Sequence, residues 1–134
     1  MNINQHSCLL PISDALVKII HDEILSAGVD ISSGVVINFR DRKFSAETGG
    51  LDPVEIAVSN DGFLLYITDY SYEGSPTFSG LFKELDFDCR SGFVRQYGDE
   101  YPLEEASDPY TLWEEVFISH YGKGLYDVIV GPLL

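Results

Sequence analysis

Acidic side chains are the most abundant groups in this sequence that could do chemistry. Asp86 and Asp88 lie two positions apart on a predicted strand, so they project with Glu84 from one face of it. Close carboxylates either stay hydrated or bind a cation. A calcium loop needs about six oxygen ligands from a glycine-bearing turn, and Arg90 already supplies a positive charge nearby. We therefore predict a solvated sheet face here rather than a metal site.

Histidine spacing gives no catalytic signature. His120 follows Val116 and Phe117 on a predicted helix, a position typical of a half-buried structural histidine. His21 lacks the second histidine that a zinc helix places four residues later. No Gly-x-Ser-x-Gly elbow occurs either, so nucleophilic catalysis has no support. We predict no catalytic residue, metal ligand or cofactor; the alternative is a small-molecule or metal-binding enzyme that uses Glu47, Asp69, Asp86, Asp88 or His120.

The segment Ser45-Ala46-Glu47-Thr48-Gly49-Gly50 could present backbone N–H groups to an anion. A phosphate loop, however, needs a lysine after the glycines and then a helix, whereas Leu51-Asp52-Pro53 and a strand follow here. The pattern therefore favours a β-connection in which glycine permits positive φ. Glu47 and Thr48 remain candidate interaction residues, because loops carry function more often than cores do.

Charge narrows the classes of partner. The sequence has 8 basic and 22 acidic side chains, a net charge of −14 and a pI near 4.2. This balance argues against direct binding to nucleic acid or to an anionic membrane. It favours either solubility through self-repulsion or steering of a basic protein partner, with mimicry of nucleic acid as a variant of the second. Besides the loop residues, the predicted interaction residues are Asp86, Asp88, Glu104, Glu105, Glu114 and Glu115.

The two cysteines, Cys8 and Cys89, are too far apart in sequence for any zinc-ligand spacing. We predict two reduced thiols in a cytoplasmic protein, with a Cys8–Cys89 disulfide as the alternative. Residues 1–8 contain neither the cationic start nor the apolar run of a secretory signal. No stretch approaches the roughly 20 apolar residues of a membrane-spanning helix.

A first helix and a set of strands are predicted by the change in apolar periodicity. Ser13 caps a helix over residues 14–27, and Gly28 ends it. The predicted buried stripe of this helix is Leu16, Ile20, Ile24 and Ala27. Alternating residues then predict an antiparallel meander of about five strands. Tyr66, Tyr70 and Tyr72 share one face of the third strand, where they either cover the helices or form a floor for a partner. The predicted strands are 35–40, 54–59, 63–72, 82–89 and 93–97.

A second helix begins at Asp108-Pro109 and ends at Gly122, and residues 126–130 form a short final strand. Residues 98–107 are polar and acidic and carry Pro102, and no strand or helix is predicted there. The sequence therefore predicts one α+β domain over residues 1–134, with both helices on one face of the sheet. The predicted inner face of the second helix leaves Glu114 and Glu115 outside and consists of Leu112, Trp113, Val116, Phe117 and His120.

Most of the chain resembles a small bacterial family of unknown function. The residues that carry this resemblance include Ser45–Gly50, the most distinctive segment, and the surroundings of Leu112-Trp113. The other matching segments are Asn38-Phe39-Arg40-Asp41, Pro53-Val54-Glu55-Ile56, Tyr66-Ile67-Thr68-Asp69 and Leu85-Asp86-Phe87-Asp88. The resemblance implies no activity, because that family has none established.

In charge and element order, the chain is more loosely similar to the mitochondrial acidic matrix protein family. That family includes the receptor for the globular heads of a complement component, and its members form ring-shaped trimers that bind other proteins. The likeness implies a protein-binding role and a homo-oligomer. This chain departs from the family's pattern by ending in a strand where the family has a second helix.

Overall fold

The computed structural model describes residues 1–45, 49–75, 78–96 and 98–133, and the side chains of residues 71–84 are not described. In these ranges the chain forms two α-helices and seven strands. The helices are α1, Asp14–Ala27, and α2, Ser107–Gly122. The strands are β1 Val35–Asp41, β2 Val54–Val58, β3 Leu64–Ser75, β4 Phe78–Asp88, β5 Phe93–Gln96, β6 Asp99–Pro102 and β7 Tyr126–Pro132.

The strands form one antiparallel sheet in the order β6-β5-β4-β3-β2-β1-β7. Strands β1 to β6 make a meander, and β7 returns to pair with β1, from Val35 opposite Pro132 to Asp41 opposite Tyr126. The helices lie on one face of the sheet, so the predicted α+β class is confirmed. Residues 98–107 do contain a strand, because β6 pairs with β5 there. The sequence pattern does not predict β6, because the strand contains acidic residues and Pro102 in place of alternating apolar residues. Charged residues and proline are both typical of an edge strand.

Local sequence signals determine α1. The Ser13 Oγ atom accepts a hydrogen bond from Leu16 N at 3.1 Å, and Gly28 ends the helix with φ 62°. Leu16, Ile20 and Ile24 are buried as predicted, whereas Ala27 is exposed because it lies in the last position of the helix. They pack into one core with alternate residues of the central strands, which form its floor. The core side chains of β1 and β2 include Val35, Ile37, Phe39, Val54 and Ile56.

Helix α2 presents a different face to the core from the one predicted. Leu112 is 65% exposed and Val116 47% exposed, whereas Tyr110, Glu114 and Phe117 are buried. The prediction that Glu114 faces solvent is wrong. Its carboxylate is buried because it accepts hydrogen bonds from Tyr110 Oη at 2.5 Å and from Ser13 N at 3.2 Å. The same carboxylate thereby joins the start of α1 to α2.

The N-terminal segment is fixed to the sheet at two places. Asn4 N donates to Gly62 O at 2.8 Å in the β2–β3 hairpin. Cys8 forms a disulfide with Cys89, just after β4, with a Cα–Cα distance of 5.2 Å. The prediction of two reduced thiols is therefore wrong, because the fold brings together two residues that are 81 positions apart. In the described part of the chain, no helix is long and apolar enough to cross a membrane.

Candidate functional site

A cleft of about 260 Å³ opens between α2, the loop that leads into β2, and the start of β7. Chain segments that are distant in sequence supply its walls. The lining combines aromatic side chains with carboxylates. The lining residues are Gly50, Leu51, Asp52, Val54, Asp69, Trp113, Val116, Phe117, His120 and Tyr126.

Asp41, at the end of β1, holds the loop that forms one wall of this cleft. Its carboxylate accepts hydrogen bonds from Leu51 N and Lys43 N, both at 2.8 Å. These bonds stabilise the ionised form and so lower the pKa of Asp41. Gly50 has φ 155°, and a Cβ atom there would lie 2.7 Å from Asp41 Oδ2. Glycine is therefore required where the loop passes the carboxylate.

The aromatic wall comes from α2 and β7. Trp113 and Phe117 stack with centroids 5.2 Å apart and an interplanar angle of 8°. Phe117 also contacts Tyr126, with centroids 5.5 Å apart. The indole Nε1 of Trp113 donates to Asp69 Oδ2 at 2.9 Å, which links the helix to β3. This hydrogen bond orients the indole ring and the carboxylate relative to each other.

The electrostatic environment of the cleft is negative. Burial raises the pKa of the Tyr126 phenol, and the charges of Asp69, Asp41 and Asp52 raise it further. A phenolate at this position would be repelled by three carboxylates. The same arrangement favours a positive charge.

The face of the sheet opposite the helices carries a polar row. Because Asp69 reaches α2, its neighbours on β3, Thr68 and Tyr70, point away from the helices. Cross-strand pairing aligns one polar residue from each of six neighbouring strands. These residues, which we call the polar row, are Asn38, Glu55, Thr68, Asp86, Arg95 and Glu100.

Asp86 and Asp88 lie on this opposite face, but they are less exposed than predicted. Asp86 is 5% exposed and accepts a hydrogen bond from Thr68 Oγ1 at 2.8 Å. The cation beside them is Arg95 rather than the predicted Arg90: its Nη1 lies 3.5 Å from Asp86 Oδ2 and 3.1 Å from Asp88 Oδ2. Burial opposes ionisation of Asp88, but hydrogen bonds from Ser91 and Arg95 outweigh it and lower the pKa of Asp88.

Two of the three predicted tyrosines also lie on this face. Tyr66 Oη donates to Glu55 Oε2 at 2.5 Å, and burial together with this bond raises the pKa of Tyr66. Burial and the charge of Glu55 likewise raise the pKa of Tyr70. These phenols therefore do not cover the helices. The side chain of Tyr72 is outside the described part of the structure.

Exposed carboxylates are concentrated where β6 leads into α2. No Lys or Arg occurs from residue 96 to residue 122 of the sequence. Glu104 and Glu105 are exposed on a 3₁₀ turn, Leu103–Glu105, and Glu115 is exposed on α2. Glu114 does not contribute because it is buried. We define the acidic edge as the exposed residues Asp99, Glu104, Glu105, Asp108 and Glu115.

The predicted site residues do not converge on one place. Asp69 and His120 meet in the cleft, whereas Asp86 and Asp88 lie on the opposite face of the sheet. Glu47 and Thr48 lie outside the described residues. Across the described ranges, no group of three or more His, Cys, Asp or Glu residues is placed to hold a metal ion.

A family model of proteins of unknown function, DUF2787, matches residues 14–131 of this chain. The matched segment includes α1, the whole meander, the cleft and the acidic edge. The chain belongs to this family. The bacterial family of unknown function that the sequence suggested is thus confirmed at the level of the family.

Solved structures of two bacterial proteins resemble this DUF2787 protein. One is the hypothetical protein VC0508 from the VSP-II pathogenicity island of Vibrio cholerae, with 31% identity, a TM-score of 0.79, and coverage of 92% of this chain and 96% of that one. The other is the conserved hypothetical protein VC1805 from pathogenicity island VPI-2 of Vibrio cholerae, with 35% identity, a TM-score of 0.74, and coverage of 92% and 97%. VC1805 shares structural homology with the human P32 protein. Among curated proteins, no sequence matches this chain.

Sequence reasoning about this DUF2787 protein missed most of the cleft. Asp52, Trp113 and Tyr126 line it, and none of them was a candidate ligand-binding residue. The only local signal was Asp52-Pro53 immediately before a strand, which places a carboxylate at a strand end. The proximity of Asp52 to α2 depends on the tertiary fold and has no signature in the spacing of residues.

Proposed function

We propose that this protein is a non-catalytic binding module that captures a basic protein partner through the acidic edge. The observation that carries the proposal is the exposure of Asp99, Glu104, Glu105, Asp108 and Glu115 in a stretch that has no Lys or Arg. Clustered carboxylates attract a basic partner and accelerate encounter. They repel nucleic acid and anionic lipid for the same reason.

Exposed apolar side chains beside these carboxylates support a protein partner. Leu112 and Val116 are one helical turn apart on α2, and Asp108 and Glu115 lie on the same exposed side of the helix. Apolar side chains surrounded by charges are typical of a surface that contacts another protein. The partner that fits this surface is a segment with basic and apolar residues.

The resemblance to acidic matrix proteins that bind other proteins supports the same function. The proposal also includes assembly of the chain into a homo-oligomer and mimicry of nucleic acid, and each of these needs its own test. Cytoplasmic location stays a prediction. The Cys8–Cys89 disulfide argues against a cytoplasmic location, because disulfides persist mainly in oxidising compartments.

Capture from a bacterial lysate, eluted with a rising salt gradient, tests the proposal. The double variant Glu104→Gln/Glu105→Gln removes two charges from the acidic edge. The matched control Asp30→Asn/Asp61→Asn removes two exposed charges elsewhere. Mass spectrometry identifies the captured proteins, and duplex DNA is added as a competitor.

Wild type and control should capture the same basic proteins, and the Glu104→Gln/Glu105→Gln variant should lose them. Release should follow salt, because the Debye length falls from about 10 Å at 0.1 M to about 3 Å at 1 M. Competition by DNA for the same partner would support mimicry. Equal capture by wild type and the Glu104→Gln/Glu105→Gln variant would overturn the proposal.

A further inference from the structure

Strand β7 forms one margin of the sheet, and one side of its backbone is open. Among the described residues, β7 pairs with β1 alone, from Tyr126 opposite Asp41 to Pro132 opposite Val35. We propose that this open edge pairs antiparallel with β7 of a second copy of the chain, so that two seven-stranded sheets join across a two-fold axis at Ile129. This inference rests on the homo-oligomer included in the proposed function, for which it names the surface, and does not involve the acidic edge.

The backbone hydrogen bonds at both ends of β7 show which of its peptide groups face outward. Arg42 N donates to Leu125 O at 3.2 Å, and Leu133 N donates to Gly34 O at 3.1 Å. Along an antiparallel pair, hydrogen-bonded and non-hydrogen-bonded positions alternate. The odd-numbered residues of β7 therefore form the hydrogen bonds with β1, and the even-numbered residues direct their backbone groups to the open edge. These outward residues are Tyr126, Val128, Val130 and Pro132, of which proline offers only a C=O group.

The two edges of the sheet differ in how they are protected against another strand. The β6 edge is four residues long, carries Asp99 and Glu100, and ends in Pro102. Short length, charge and proline are the usual devices that prevent edge-to-edge pairing. Strand β7 is seven residues long, and Val128–Val130, at its centre, consists of uncharged β-branched residues that favour strand pairing. The β7 edge is therefore the one that can accept a further strand.

Charge limits where two copies of the chain can meet and which strand fits the β7 edge. A net charge of −14 makes the copies repel each other, so their contact requires a surface of low charge. Asp127 is the only charged residue of β7, and its Oδ1 atom lies 2.9 Å from Arg42 Nε. A basic peptide would be attracted more strongly to the acidic edge. The β7 edge thus favours an uncharged strand, and β7 is itself such a strand.

An antiparallel register centred on Ile129 makes β7 complementary to its own copy. Val128 of each copy then lies opposite Val130 of the other, so that outward N–H groups meet outward C=O groups. Asp127 lies opposite Gly131, which keeps the two aspartates apart. Ile129 is 64% exposed on the face that carries the polar row, and pairing with its counterpart would remove both side chains from water.

Sedimentation velocity of the purified protein tests this pairing. A single pair of short strands belongs to the class of small interfaces, below about 1,200 Å², so we expect weak association. Protein concentrations from about 1 µM to about 1 mM cover the dissociation constants of such complexes. The variants are Ile129→Lys and Ile129→Asp. The matched control is Leu112→Lys, because Leu112 is 65% exposed on α2, and urea unfolding verifies that every variant is folded.

Wild type and Leu112→Lys should form a dimer as concentration rises. Either substitution of Ile129 should weaken association about tenfold or more, because like charges would lie directly opposite each other. An equimolar mixture of Ile129→Lys and Ile129→Asp should restore the dimer, because opposite charges then meet. A monomer at every concentration would overturn the proposal. Association of Ile129→Lys equal to that of wild type, the same loss in Leu112→Lys, or a mixture that stays monomeric would also overturn it.

Amide hydrogen exchange measured by NMR locates the contact. The N–H groups of Val128 and Val130 should exchange rapidly in the dilute monomer and slowly in the dimer. Those of Asp127 and Ile129 bond to β1 and should exchange slowly in both states. Exchange of Val128 and Val130 that stays rapid in the dimer would place the interface elsewhere and overturn the proposal.

Salt separates this association from capture by the acidic edge. Added salt screens the repulsion between copies and should strengthen the dimer, whereas it releases a basic partner. A dimer that dissociates in salt would be held by charges and not by β7, which would overturn the inference. The measurements use the purified chain without a partner, so failure of the dimer and failure of partner capture are distinguishable.

Discussion

Replacement of Glu114 by alanine should destabilise the protein far more than replacement of its neighbour Glu115. Glu114 is 6% exposed, and its carboxylate accepts hydrogen bonds from Tyr110 Oη and Ser13 N. A hydrogen bond to a charged acceptor contributes about 1.5–3 kcal/mol. Glu115 is exposed, and a substitution at such a position typically changes the free energy of unfolding by less than about 0.5 kcal/mol.

The structure separates the contributions to this value. In Glu114→Ala, the hydroxyl of the fully buried Tyr110 has no acceptor at position 114. We therefore expect the free energy of unfolding to fall by about 3–4 kcal/mol. Glu114→Gln retains one oxygen acceptor and should lose about 1–2 kcal/mol. Tyr110→Phe removes only the hydroxyl, which should also cost about 1–2 kcal/mol.

Urea unfolding monitored by circular dichroism measures these differences, with the disulfide intact in every variant. The double variant Tyr110→Phe/Glu114→Ala completes a double-mutant cycle in which each single variant removes the hydrogen bond, and the coupling energy should be about 1–2 kcal/mol. A coupling energy near zero would show that the two side chains do not share a stabilising contact. A loss for Glu114→Ala no larger than for Glu115→Ala would refute the assignment of Glu114 to the core.

Two further predictions concern the disulfide and the loop at the cleft. Reduction of Cys8–Cys89, or the Cys8→Ala/Cys89→Ala variant, should lower the free energy of unfolding by about 2–4.5 kcal/mol. The upper value is the loop-closure entropy calculated for 81 residues. An unchanged urea midpoint would contradict stabilisation by the disulfide. Gly50→Ala should cost about 1–3 kcal/mol more than Gly49→Ala, because both have positive φ but only Gly50 would place Cβ 2.7 Å from Asp41 Oδ2. Equal urea midpoints for the two alanine variants would contradict the close approach at Gly50.

The parts of the fold that could be predicted from the sequence are those with local causes. Ser13, Gly28 and the apolar stripe between them define α1 without reference to any other segment. Strand β1 alternates, and its core-facing residues are buried as alternation requires. The α+β class follows from these elements.

The parts that could not be predicted depend on contacts between distant segments. Glu114 is interpreted as a surface residue by any rule based on polarity, and it is buried only because Tyr110 and the start of α1 supply donors. Cys8 and Cys89 meet because the N-terminal segment runs along the β2–β3 hairpin. The sequence places Asp69 and His120 in one candidate set with Asp86 and Asp88, but alternation along the strands puts Asp69 on the helix side of the sheet, near His120 of α2, and Asp86 and Asp88 on the other side.

The position of β7 in the sheet has a consequence for how the protein is made. Strand β7 pairs with β1, so β1 has only one neighbour until residues 126–132 have left the ribosome. Until then, one edge of β1 has no paired strand and Phe39 lacks its contact with Tyr126 of β7. Non-local pairing of this kind is slow to form. The nascent chain therefore passes through a stage in which a chaperone or a second copy could occupy the place of β7.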